Sequence, residues 1–143
     1  MKLQLSLSSI VYGLLTLIWF SIMLVLSLQD GEKTSELSYK AVGMFFTFVK
    51  NKKPRERFHF LIRKCAHVFE YSVLIILFFC FVKTISNTEA SLIWLILLFP
   101  FFWAFIDEKI KGFIIGRHCS FIDFILNEIG CILGLLLCLI VFQ

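Results

Sequence analysis

Between Ser8 and Leu28 the chain carries no charged side chain. A helix that crosses the hydrocarbon core of a bilayer needs roughly 20 mostly apolar residues, so this run alone predicts a spanning helix. No small-residue cleavage site follows it, which predicts that it stays in the membrane rather than being removed as a signal peptide. Three more runs are long and mostly apolar: Ala66 to Val82, Ala90 to Ile106 and Phe121 to Phe142. The third contains Pro100 and should kink there, which spanning helices tolerate better than soluble ones. None alternates in the manner of a barrel strand. The composition agrees, with 59% hydrophobic residues and 17% charged ones, against about half and about a quarter in soluble domains. The fold expected over residues 1–143 is a single all-α, polytopic, four-transmembrane-helix bundle.

The only long connection, Gln29 to Cys65, reads in three parts. "QDGEKTSELS" is an exposed turn leading to a helix start. "YKAVGMFFTFVK" is too short to span and predicts an interfacial amphipathic helix between the first and second spans. "NKKPRERFHFLIRK" holds six Lys and Arg against one Glu, a run suited to anionic headgroups at about 1 kcal/mol per basic residue near the surface. Pro54 fits the first turn of a helix continuing into the second span. With four spans, the first and third connections share one face and hold twelve Lys and Arg, against Lys2 and Lys83 opposite. Positive-inside counting makes the basic face cytoplasmic and puts both termini outside. The expected location is the plasma membrane, with lipids as partners and no nucleic acid.

The shared face gathers separate polar groups. "RKCAHVFEY" puts Arg63, Lys64, His67, Glu70 and Tyr71 at the entry to the second span, the last three at i, i+3 and i+4 on one stripe. "DEKIKGFIIGRHCS" closes the third span with Asp107 and Glu108 and then supplies Gly116 and Arg117. "DFILNEIGCILG" aligns Asp123, Asn127, Gly130 and Gly134 on one stripe of the fourth span. Acidic groups inside a membrane normally pair or line a hydrated cavity, so Glu70, Asp123 and Glu128 need partners. The three pieces predict one polar pocket just below the headgroup layer. A plainer alternative is that Arg117 with Asp123, or His67 with Asp107, merely pins helix ends. Gly130 and Gly134 form GxxxG, read as close packing of the fourth helix inside the bundle.

A His beside carboxylates is a workable base or divalent-metal site, and clustered Arg and Lys can hold a phosphate. On that reading His67, Glu70 and Asp123 are the catalytic candidates. Yet no HExxH, GxSxG or Gly-rich phosphate loop is present, and the five cysteines include no CxxC or zinc-ligand spacing. No cofactor, metal or disulfide framework is expected, and the balance leans away from an enzyme.

At these residues the sequence resembles the VanZ-like family of small membrane proteins. The resemblance rests on Arg63-Lys64, His67, Glu70-Tyr71, Leu74, Asp107-Glu108, Phe113, Gly116-Arg117, Ser120, Asp123, Asn127, Gly130 and Gly134, and on "SLQDGEKTSELS" after the first span. It covers most of the chain. Two positions depart from the pattern: Lys111, where the family usually has Gln, and Ile115, where Pro commonly precedes Gly-Arg. They bear on the ligand more than on the fold. The resemblance implies a cell-envelope membrane protein related to one associated with low-level teicoplanin resistance.

The leading expectation is a non-enzymatic protein that binds a lipid headgroup or lipid-linked cell-wall precursor through Arg63, Lys64, His67, Glu70, Tyr71, Asp107, Glu108, Arg117, Asp123 and Asn127. A membrane-embedded hydrolase or transferase acting on a lipid phosphate is the second. A small permease or flippase working as a homo-oligomer is the third.

Overall fold

The computed structural model describes residues 6–32, 35, 36, 39, 40, 43, 52–85 and 90–142, with side chains at 58, 60–85 and 98–142 for the last two stretches. Among the described residues four long helices follow in order: α1 (Leu7–Ser27), α2 (Lys52–Ile85), α3 (Ala90–Lys111) and α4 (Phe121–Val141). No strand occurs among the described residues. The helix expected over 39–50 lies outside the described residues apart from Tyr39, Lys40 and Gly43.

Local chemistry sets the helix ends. Ser6 and Ser9 form a capping box on α1, each hydroxyl accepting the other residue's N–H. Ser120 caps α4 by accepting the Asp123 N–H at 3.3 Å. The 34-residue α2 contains Pro54 in its first turn and runs unbroken into the second apolar run. At 1.5 Å per residue it is about 50 Å long, well beyond a hydrocarbon core of about 30 Å. The basic start of α2 and its apolar remainder are therefore one rod.

Three helices among the described residues are long and apolar enough to cross a membrane: Leu7–Ser27, Phe60–Ile85 and Phe121–Val141. Their outward faces carry large exposed apolar side chains, including Leu17, Val25, Ile132 and Ile140, a surface that water disfavours and lipid accepts. This is a membrane protein.

The core has two layers. In the first, Met23 of α1, Tyr71 and Leu74 of α2, Ala104 of α3 and Cys131 of α4 pack together, so each of these four helices contributes. In the second, Ile75, Phe79 and Val82 of α2 meet Cys138 of α4. α2 and α4 form the most extensive pair. Gly130 and Gly134 make it possible: a Cβ on Gly130 would strike the Val68 carbonyl, and one on Gly134 the Ile75 side chain and Ser72 carbonyl. The Ser72 hydroxyl lies 2.9 Å from the Gly130 carbonyl it faces. Beyond the first core layer lies a polar cavity.

Candidate functional site

Arg63, His67 and Glu70 follow each other at i, i+4 and i+7 on α2 and face one way. They line a cavity of about 360 Å³ at the end of the bundle where α1 and α3 finish and α4 begins. α1 contributes Met23, Leu26 and Ser27; α3 contributes Asp107, Glu108 and Lys111; the connection to α4 brings Gly116, Arg117 and His118; α4 adds Asp123.

Each wall is fixed by its own chemistry. Lys111, in the last turn of α3, reaches back to Asp107 at 2.7 Å and Glu108 at 3.2 Å. A cation in a last turn also suits the helix dipole. Glu108 accepts the Ser120 N–H at 2.8 Å, which ties the end of α3 to the start of α4. Tyr71 donates from the core to Asp107 at 3.3 Å. Asp123 occupies the first turn of α4, where a carboxylate is favoured, and takes Lys64 as its ion-pair partner.

Arg117 closes the wall toward α1. Its guanidinium donates to the Ser27 carbonyl at 2.8 Å and the Leu26 carbonyl at 3.1 Å, carbonyls that a helix end leaves without intrahelical partners. Burial, then the like charge of Arg63, lowers its pKa from the ordinary value, while Asp107, Glu108 and Glu70 act the other way. Gly116 takes φ +75°, a turn conformation that glycine adopts without steric cost. The chain after α1 touches this turn: Gly31 N–H donates to the Ile115 carbonyl at 3.2 Å, and a Cβ on Gly31 would strike the Gly116 carbonyl.

Of the residues singled out from the sequence, Arg63, His67, Glu70, Asp107, Glu108, Arg117 and Asp123 line the cavity. Lys64 reaches it only through Asp123. Tyr71, 1% exposed, belongs to the core beneath. Asn127 is one turn deeper than Asp123 and fully buried, and neither amide atom has a hydrogen-bond partner among the described residues. Glu128 is away from the cavity, with a buried Oε1 that likewise has no such partner. The pairing differs from the alternatives read in the sequence. Asp123 meets Lys64 and, at 3.9 Å, His67 Nε2, while Asp107 meets Lys111 and Tyr71.

Some lining residues escaped the sequence reading. Ser27 is 5% exposed, and its hydroxyl has no partner among the described residues. It opens the stretch "SLQDGEKTSELS" but was not singled out as a pocket residue. Lys111 stood out only as an unusual residue, although its spacing of four from Asp107 is a direct signal for a helical ion pair.

Chemically, the lining residues combine four carboxylates, from Glu70, Asp107, Glu108 and Asp123, with the cations Arg63, Lys111 and Arg117. Three of the carboxylates already hold a cation, two of them sharing Lys111. Glu70 and Arg63 make no hydrogen bond or ion pair through their side chains among the described residues; the Glu70 backbone carbonyl accepts from Trp19 Nε1 at 3.0 Å. His67 Nε2 is too far from Asp123 for a hydrogen bond, and its Nδ1 has no partner among the described residues.

A family model described as VanZ/LLP1 matches residues 12–142. No curated protein and no solved structure matches the chain.

Proposed function

Because the chain belongs to the VanZ/LLP1 family along residues 12–142, we propose that it is a membrane protein of the bacterial cell envelope whose end cavity binds a lipid headgroup, either of a bulk lipid or of a lipid-linked cell-wall precursor. The observation that carries the reading is the cavity itself. It has a volume of about 360 Å³ and a wall of buried charge, beside helices whose exposed faces are largely apolar. That volume lies at the small end of the usual range for ligand sites. A four-span bundle, with α3 crossing and the 39–50 segment lying in the interface, completes this proposal. Positive-inside counting then puts the cavity at the cytoplasmic leaflet. An influence on glycopeptide susceptibility would follow indirectly, through the lipid or precursor pool that the cavity draws on.

The test is lipid titration of the purified protein by native mass spectrometry. Arg63→Ala is expected to weaken binding of phosphate-bearing lipids about 10-fold, the size of one lost charge-assisted hydrogen bond. Lys83→Ala, whose side chain lies over Phe142 at the other end of the bundle, should leave it unchanged. Equal affinity in Arg63→Ala and the parent would sink the cavity reading.

His67 supports a second reading, a hydrolase or transferase acting on a lipid phosphate. It faces the cavity with Asp123 3.9 Å from Nε2, a distance that substrate binding can close. Lipid extracts of cells carrying His67→Ala would then accumulate one lipid phosphate species. An unchanged lipid profile at normal protein level would count against catalysis.

A further inference from the structure

The connection between α3 and α4 is apolar where a water-facing turn is ordinarily polar. Residues 112–116 read Gly-Phe-Ile-Ile-Gly. Phe113 and Ile115 are 90% and 85% exposed, more than any other large apolar side chain among the described residues. Neither lies on a helix, so the lipid-facing surface of a span does not account for them.

The turn that carries them is well ordered by its own hydrogen bonds. The N–H groups of Gly112, Phe113 and Ile114 donate to the Lys109, Ile110 and Lys111 carbonyls at 3.0–3.1 Å, and that of Arg117 donates to the Ile114 carbonyl at 3.1 Å. From the chain after α1, the Gly31 N–H donates to the Ile115 carbonyl at 3.2 Å. These bonds fix the backbone that presents the two apolar side chains. They also satisfy peptide groups whose loss of water would otherwise oppose entry into a poorly hydrated layer.

What covers Phe113 and Ile115 follows from where the chain goes next. After residues 117–120, α4 opens with the exposed apolar side chains of Phe121 and Ile122, and this helix is long and apolar enough to span. The turn is therefore tethered to the end of a spanning run, near the boundary between hydrocarbon and headgroups. Lys109, exposed in the last turn of α3, precedes the apolar pair, and basic residues beside apolar ones suit a segment lying in that boundary. A protein partner fits less well. A stable protein interface buries about 1,200–2,000 Å², whereas an aromatic side chain supplies about 150–250 Å², and this tip offers one phenylalanine beside one exposed isoleucine. A leaflet sets no such minimum, because the spans already hold the chain in it.

We propose that the 112–116 turn is an interfacial anchor, with Phe113 and Ile115 inserted at the headgroup–acyl boundary of the leaflet on the cavity side. Gly116 and Arg117 of the same connection line the cavity, so the insertion holds the cavity mouth at headgroup depth. Neither Phe113 nor Ile115 lines the cavity, and the anchor stands or falls independently of what the cavity binds.

The test is power-saturation electron paramagnetic resonance of the full-length protein in vesicles of phosphatidylcholine and phosphatidylglycerol. A Cys65→Ser, Cys119→Ser background leaves only the buried Cys80, Cys131 and Cys138. In it, a spin label is placed at Phe113→Cys or Ile115→Cys, with Leu17→Cys on the exposed face of α1 as the hydrocarbon reference. Both turn labels are expected to collide more with oxygen, which concentrates in lipid, than with a water-soluble nickel chelate. An excess of nickel collisions at either position puts the turn in water and overturns the proposal. Protection from both reagents means that a second copy covers the turn, and overturns it equally. Because a label is itself partly apolar, a second measurement keeps it away from the turn. With Cys119 labelled in a Cys65→Ser background, the Phe113→Ser, Ile115→Ser double variant is expected to raise nickel collisions at Cys119 and to leave those at the Leu17→Cys reference unchanged. Both replaced side chains are exposed, so little packing is lost. No change at Cys119, or an equal rise at the reference, overturns the anchor.

Discussion

Lys64 and Asp123 are the side chains that join α2 to α4 at the rim of the cavity, and both are largely screened from solvent. Removing one leaves the other charged in a poorly hydrated place, which costs more than removing both. Asp123→Asn is expected to destabilise the protein by about 2 kcal/mol. The Lys64→Met, Asp123→Asn double variant should recover much of that loss in detergent thermal unfolding. A double variant that unfolds as early as the sum of the singles would show that the pair is not coupled. At this scale the sequence identified the participants better than the partnerships. Helical periodicity exposes which residues share a stripe, so His67 and Glu70 were legible together, with Tyr71 of the same stripe in the core beneath the cavity. Which carboxylate meets which cation depends on side-chain reach across helices, and for that reason the sequence left Lys64 as one of several candidate partners of Asp123, beside Arg63, His67 and Arg117.

The helices were legible because a spanning run must be both long and apolar. The basic residues Arg63 and Lys64 belong to the same unbroken helix as the second apolar run, and long basic side chains can reach back toward the surface from such positions. Close packing of α4 on α2 predicts a sharp contrast between glycines. Gly130→Ala places a methyl against the Val68 backbone carbonyl, which cannot yield without moving a helix. A loss of about 1–3 kcal/mol is expected. Gly13→Ala meets only the ring of Phe81, a side chain able to turn aside, and should cost clearly less. Melting temperatures of the two variants, measured side by side, check the order. Arg117→Ala should act at a third place, the end of α1, by removing donors to Leu26 and Ser27. Hydrogen exchange of the α1 C-terminal amides is expected to rise while the middle of α4 stays protected. Uniform deprotection would instead mean that Arg117 holds the whole bundle.

At the scale of the molecule, α1, α3 and α4 bring their ends to one cavity, and α2 runs past it into a basic extension. The side of the membrane on which this cavity opens decides which lipid leaflet it meets. Cys119, exposed in the α3–α4 connection, reports that side. With Cys65→Ser as background, an impermeant thiol reagent added to intact cells is expected to leave Cys119 unlabelled and to label it after permeabilisation. Labelling in intact cells would turn the cavity outward and the basic run with it. Convergence of the polar segments could be anticipated from the positions of the charges at the ends of the apolar runs. The cavity's depth could not, because it depends on where Arg117 anchors and how closely Gly31 approaches Gly116. The central claim, that the cavity is a lipid site, is tested most directly by what the protein carries out of its own membrane. Mass spectrometry of the protein after a delipidating detergent wash should find one lipid retained per chain, lost from the Arg63→Ala, Glu70→Gln double variant. Equal retention by a folded double variant, or no lipid on the parent, would contradict it.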